Sequence, residues 1–150
     1  MPLYFAYGSN MDIDAMAMRC PRSTPVGLAR LPRYRFALMR QGFATVIRDP
    51  RSTVWGLLWT LALSDVPALD RWEDVSRGLY TKIMQPVIRA GGASVQALIY
   101  VAGGADGAPA APGYGEGVVR AARAIGLPAK YIGDVERSFG ARRIASGVAS

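Results

Sequence analysis

The first stretch whose residue types could do chemistry is the turn at residues 8–10, a glycine, a serine and an asparagine. It follows residues 3–7, whose aromatic and apolar side chains are typical of a β-strand. Asp12 then predicts the N-cap of a helix that continues to Met18. Backbone N–H groups at such a turn can point into a shared hollow. The pattern therefore predicts either a cradle for an anionic or polarised oxygen or an ordinary turn, and the residues favour neither.

A second candidate is Glu73, one of only three glutamates among the eleven acidic residues. It follows Trp72 at the end of a predicted helix and precedes a turn that leads to Tyr80. A carboxyl group partly removed from water beside an indole would have a raised pKa and could move protons near neutral pH. The alternative is a surface acid beside a half-buried tryptophan, which the residues alone favour. Glu116 and Glu136 have charged neighbours in predicted helices and are interpreted as solvated.

The chain has no histidine and one cysteine, Cys20. Nucleophile pairs that depend on histidine are therefore excluded, and a zinc site is disfavoured. A proton carrier near neutral pH must then be a carboxylate, a lysine or a tyrosine. Cys20 is predicted to be buried, because no base is available to activate its thiol. The glycine-rich residues 113–117 lack the spacing of a nucleotide loop and are interpreted as a helix entry.

The length of 150 residues, with 51% apolar and 19% charged residues, predicts one globular domain. The longest apolar run, residues 54–63, is too short to span a bilayer. No basic n-region stands before the first turn, so we expect no secretory signal. A lone cysteine favours a reducing compartment, so we expect a cytoplasmic protein without a membrane partner.

The net charge of +7 comes from arginines that are scattered along the chain. Scattering predicts a solvated surface, with a diffuse field that attracts small anions as the second interpretation. A nucleic-acid partner is disfavoured because it would need a continuous basic face.

Alternating and apolar stretches predict an α+β fold, in which strands in series curl into a small mixed or antiparallel barrel of about five to seven strands with peripheral helices. The predicted strands are residues 26–31, 34–38, 44–47, 53–61, 80–88 and 94–101, and later helices are expected at 116–125 and 128–139. Gly56, inside a strand, indicates a bend or a close backbone approach. Residues 103–113 predict a mobile loop over a site or across the barrel mouth. One domain should cover residues 1–139, and residues 140–150 should form a frayed tail.

The residues from Tyr4 to Met11, Tyr-Phe-Ala-Tyr-Gly-Ser-Asn-Met, resemble the signature of the gamma-glutamylcyclotransferase family, which is related to the AIG2-like proteins. The likeness covers about residues 3–101, and weaker similarity extends through Tyr114 and the last helices. Its supporting blocks are Arg19-Cys20-Pro21, Tyr34-Arg35-Phe36, the stretch from Val54 to Trp59, the stretch from Leu69 to Glu73, and Gly78-Leu79-Tyr80.

The resemblance implies a small barrel enzyme that cyclises a gamma-glutamyl amide to 5-oxoproline and releases the amine, without metal or cofactor. It implies that Glu73 is the catalytic acid and base. The substrate-binding residues that it implies are Tyr7, Gly8, Ser9, Asn10, Tyr80 and Tyr114. Chemistry agrees with these roles, because a carboxylate could carry the proton and the amides of the turn could hold a carboxylate or an oxyanion. The Tyr-Gly-Ser-Asn form resembles the branch that acts on gamma-glutamyl amino acids.

One residue departs from the family pattern: Asp74 stands where the family usually has glycine after its glutamate. If the turn needs a positive φ, aspartate adopts it less readily than glycine. If instead Asp74 faces the site, its charge would raise the pKa of Glu73 and change the choice of substrate.

Other functions stay open on the same fold. One is a cyclotransferase that acts on a larger gamma-glutamyl-amine intermediate. Another is a non-catalytic module that binds a small molecule or a protein, which predicts a filled pocket or a Glu73 that points away from it. The sequence also leaves open the leaving amine and whether two copies form a homodimer.

Overall fold

Five strands close into a barrel in the computed structural model, which describes residues 2–104 and 109–149, with helix backbone alone for 141–149. The strands are β1 (Leu3–Ala6), β2 (Thr24–Leu38), β3 (Ala44–Thr60), β4 (Thr81–Arg89) and β5 (Ser94–Val101). Their order around the barrel is β1-β3-β2-β4-β5, and only the closing β1–β5 pair is parallel. The predicted small mixed barrel is confirmed.

The breaks predicted within the second and third strands are wrong. β2 and β3 each continue through their prolines and pair from Thr24 with Thr60 to Leu38 with Ala44. The register shifts between Pro32 and Tyr34, where the intervening Arg33 has a φ of 65°. A bulge tolerates proline because one residue there leaves the hydrogen-bonded ladder. A long, bent hairpin therefore replaces the shorter strands.

In the described part of the chain, four α-helices lie outside the barrel: α1 (Ile13–Arg19), α2 (Val66–Trp72), α3 (Tyr114–Ile125) and α4 (Ala129–Ala149). Asp12 caps α1 as predicted, because its carboxylate accepts the Ala15 N–H at 3.1 Å. Asp65, the residue before α2, makes no such bond. Its buried carboxylate instead accepts the Arg22 N–H and the Ser23 hydroxyl, and so joins α2 to the start of β2.

The last helix is longer than predicted. We expected it to end at Phe139, whereas α4 continues to Ala149. Residues 140–149 carry no core pattern, but they include three alanines and two arginines, which have high intrinsic helix propensity. The division into a domain of residues 1–139 and a fraying tail stays a prediction.

The core fills the barrel and extends beneath the helices. Phe5, Leu58 and Ile99 are fully buried inside it, while Met16 and Leu69 attach α1 and α2. Cys20 is buried as predicted. Within the described residues, no helix has the length and hydrophobicity needed to cross a membrane.

Candidate functional site

A cavity of about 550 Å³ lies where the N-terminal turn, the end of α2 and the start of α3 meet. It brings together every site residue that the sequence predicts: Tyr7, Gly8, Ser9, Asn10, Glu73, Tyr80 and Tyr114. The turn and the glutamate are more than sixty positions apart in sequence, yet the Asn10 amide donates to the Glu73 carboxylate at 3.3 Å. The predicted cradle and the predicted carboxyl group therefore share one cavity.

The turn after β1 is a 3-10 helix (Ser9–Met11), and Gly8 precedes it. A Cβ on Gly8 would lie 2.9 Å from the Tyr114 hydroxyl, so glycine allows that hydroxyl to reach the turn. The Tyr114 oxygen accepts the Ala44 N–H at 3.0 Å. Because this oxygen already accepts a hydrogen bond, the hydroxyl proton can be donated into the cavity.

Tyr7 and Tyr80 line the cavity and are buried, and each is 6% exposed. Tyr7 donates its hydroxyl to the Tyr100 carbonyl, and Tyr80 donates to the Ala44 carbonyl at 2.6 Å. Burial raises the pKa of both phenols, and it raises the pKa of Tyr114 to about 12. All three phenols are therefore neutral near pH 7 and form a rigid, uncharged wall.

Glu73 follows the last residue of α2, and its N–H still donates to the Leu69 carbonyl at 3.0 Å. The helix end thus fixes the backbone while the carboxyl group enters the cavity. Burial raises the pKa of this carboxyl from 4.5 to about 7, although the nearby Arg19 guanidinium partly lowers it. A group with that pKa can both accept and return a proton at neutral pH.

Asn10 connects the charged groups of the site and is only 2% exposed. Its amide nitrogen donates to Glu73 and to the Tyr4 hydroxyl at 3.0 Å. Its side-chain amide oxygen accepts a hydrogen bond from Arg19, and its main-chain carbonyl accepts the Trp59 indole N–H at 3.2 Å. The side chain is therefore held in one orientation, which also fixes Glu73 relative to Arg19.

Sequence reasoning missed several lining residues, among them Tyr4, Arg19, Trp72 and Tyr100 as contributors to the site. Arg19 lies in the last turn of α1, and its guanidinium stacks 3.4 Å from the centre of the Trp72 ring. Its place in the helix that directly follows the turn was the available signal. That signal could not give the direction of the side chain, because this depends on how α1 packs against α2.

Asp74 has a φ of 54° and a ψ of 42°. This agrees with the first of the two alternatives for Asp74, a turn that needs a positive φ. Its carboxylate lies 3.7 Å from the Arg77 Nε and does not line the cavity. Burial, and not the charge of Asp74, raises the pKa of Glu73. The departure from glycine therefore affects the turn and not the site.

The raised pKa of Glu73 predicts a stability that depends on pH. Folding raises this pKa from 4.5 to about 7, so the buried carboxylate destabilises the fold increasingly as the pH rises between those values. Glu73→Gln keeps an oxygen for Asn10 but cannot ionise. We expect it to increase the free energy of unfolding by about 2 kcal/mol at pH 8 and to have little effect at pH 4.

Urea unfolding at the two pH values measures this difference, and Glu136→Gln, on an exposed face of α4, serves as the control. Equal stability of Glu73→Gln and the unsubstituted protein at pH 8 would contradict a buried, destabilising carboxylate.

The chain is similar to known proteins over most of its length. Residues 53–135 match the model of the AIG2-like family. The gamma-glutamylcyclotransferases of Mus musculus and Homo sapiens are each 30% identical over 139 residues, covering 86% of this chain and 74% of each relative. A solved structure named gamma-glutamyl cyclotransferase superposes with a TM-score of 0.84 at 28% identity, covering 90% of this chain and 86% of that one.

Proposed function

Because the chain belongs to the AIG2-like family and has gamma-glutamylcyclotransferases among its relatives, we propose that it converts a gamma-glutamyl amino acid to 5-oxoproline and a free amino acid. The observation that carries the proposal is the single cavity holding the turn at residues 8–10 and a carboxyl group with a pKa of about 7. The relatives, and the cavity in the described part of the chain, both support an enzyme of this kind.

The reaction needs one proton to move from one nitrogen to another. The alpha-amine of the substrate attacks its own gamma-carbonyl carbon, forming the new C–N bond of the ring. Glu73 takes a proton from the attacking amine and returns it to the leaving nitrogen as the original C–N bond breaks. The attack is intramolecular, so holding the substrate in a folded conformation supplies much of the rate enhancement.

The negative charge that develops on the carbonyl oxygen needs hydrogen-bond donors. The backbone amides of the turn and the Tyr114 hydroxyl are the candidates, since that hydroxyl can donate its proton into the cavity. The hydroxyl groups of Tyr7 and Tyr80 already donate hydrogen bonds to backbone carbonyls, so these side chains shape the cavity and do not donate to the substrate. This division of roles makes Tyr114 a donor and the other two phenols a scaffold.

The direct test is release of 5-oxoproline from a panel of gamma-glutamyl compounds, measured by chromatography with the purified protein. We expect turnover of gamma-glutamyl amino acids and free amino acid in equal amount. Turnover restricted to bulky gamma-glutamyl amines would instead support the larger biosynthetic substrate. No release from any member of the panel would overturn the proposal.

A non-catalytic binding module is less well supported, because it predicts a filled pocket or a Glu73 that points away from it. The cavity has a volume of about 550 Å³ and Glu73 lines it. The cytoplasmic location stays a prediction, and the homodimer stays an open alternative.

A further inference from the structure

On the basis of the cyclisation proposed above, we propose that Arg19 is a specificity-determining residue that binds a carboxylate on the leaving half of the substrate. Trp72 holds the guanidinium in place for this contact. The site would then favour gamma-glutamyl amino acids over otherwise identical gamma-glutamyl compounds whose leaving half has no negative charge.

The charges of the cavity are the first support. Among the described residues that line it, Arg19 is the sole cation and Glu73 the sole anion. In the proposed reaction Glu73 carries the proton between the two nitrogens. Whenever it is ionised, its negative charge would repel a carboxylate of the substrate. Arg19 is therefore the positively charged side chain in this cavity that can bind a carboxylate of the substrate.

The geometry of Arg19 is the second support. Its guanidinium carbon lies 3.4 Å from the centre of the Trp72 ring, and its Nη1 donates to the Asn10 amide oxygen. Stacking occupies a face of the planar group, and the bond to Asn10 uses one of its five N–H donors. Donors along its edge can still bind a carboxylate in the fork geometry that arginine favours. Because the side chain is already ordered, little conformational entropy is lost when it binds.

The exposure of the lining residues indicates which half of the substrate Arg19 meets. Tyr7 and Tyr80, which line the cavity, are 6% exposed, whereas Trp72, which lies against Arg19, is 50% exposed. The gamma-glutamyl half is common to all substrates and fits the enclosed end. The leaving half varies in size and must extend toward the open end, where the Arg19–Trp72 pair lies.

The hydrogen bonds that Asn10 makes to both charged residues support the contact. The leaving nitrogen must lie beside Glu73 to receive its proton, and Asn10 bonds to both Glu73 and Arg19. In an amino acid the carboxylate is attached to the carbon next to that nitrogen. A nitrogen at Glu73 thus places the carboxylate toward the neighbouring guanidinium.

The test compares gamma-glutamyl-alanine with gamma-glutamyl-alanine amide, which has the same side chain but no charge on the leaving half. We expect the unsubstituted protein to prefer the acid in kcat/KM. Arg19→Gln should lower kcat/KM for the acid about 10- to 100-fold more than for the amide, since a hydrogen-bonded charge pair is lost for one substrate alone. Arg22→Gln removes an exposed positive charge nearby and should leave the preference unchanged.

The comparison also separates recognition from proton transfer. Arg19 lowers the pKa of Glu73, so its removal changes the protonation of Glu73 for both substrates. That effect cancels in the ratio of the two kcat/KM values. Trp72→Leu, at a half-exposed position, removes the stacking with little risk to the fold and should reduce the preference for the acid about threefold or more.

Equal losses on the acid and the amide in Arg19→Gln, or an unchanged ratio in Trp72→Leu, would overturn this role of Arg19 while leaving the cyclisation intact. Failure of the unsubstituted protein to release 5-oxoproline from either compound would count against the proposed function itself.

Discussion

Glu73→Gln is expected to lower kcat for 5-oxoproline release about 10²- to 10⁴-fold, the usual effect of losing a general acid and base. The glutamine side chain has the same shape and keeps an oxygen within reach of the Asn10 amide, which donates to Glu73 at 3.3 Å. Substrate binding should therefore persist while proton transfer stops. Steady-state kinetics combined with a binding measurement separate the two effects.

The pH dependence gives the same prediction a second measurement. The attacking amine must give its proton to an ionised carboxylate, so kcat/KM should rise with pH and level off above the Glu73 pKa of about 7. In Glu73→Gln that rise should vanish from the residual activity. Glu136→Gln should match the unsubstituted protein in both rate and pH profile. Full turnover in Glu73→Gln would exclude the proton-transfer role.

Gly56→Ala is expected to destabilise the barrel by about 3 kcal/mol or more, because the added methyl group has no space. A Cβ at Gly56 would lie 2.3 Å from the Ala6 carbonyl oxygen and 2.9 Å from the end of the Phe5 ring. The nearer atom belongs to the backbone of β1, which cannot move without breaking its pairing with β3. Denaturant unfolding measures the loss.

The matched control is Gly91→Ala in the turn between β4 and β5. A Cβ at Gly91 would meet no atom within 4 Å, and the residue has no positive φ. Its free energy of unfolding should change by less than about 0.5 kcal/mol. Similar stability losses at the two glycines would show that the close approach of β1 to Gly56 is not what limits the substitution.

Gly56 also illustrates how much of the fold could be predicted. An isolated glycine in an apolar strand indicated a close backbone approach, and the structure confirms it with Ala6 as the neighbour. The strand breaks, in contrast, were predicted wrongly at Pro32 and at Pro50. Local propensity treats a proline as an end, whereas a bulge or an edge position accommodates it when tertiary pairing supplies the remaining hydrogen bonds.

Residue types and order were sufficient for the small mixed barrel, for the capped helix that begins after Asp12, and for nominating Glu73 together with the turn at residues 8–10. These features depend on local propensities and on a recognisable signature, and both are properties of the local sequence. The absence of histidine likewise leaves a carboxylate, a lysine or a tyrosine as the proton carrier near neutral pH.

How these residues act on one another depends on contacts that form when the chain folds. The pKa of Glu73 rises because surrounding elements remove it from water, and Arg19 joins the site because α1 packs beside the end of α2. Neither burial nor side-chain direction is a property of the local sequence. Both arise from contacts between segments more than fifty residues apart, such as Arg19 and Trp72, and those contacts exist only once the barrel has closed.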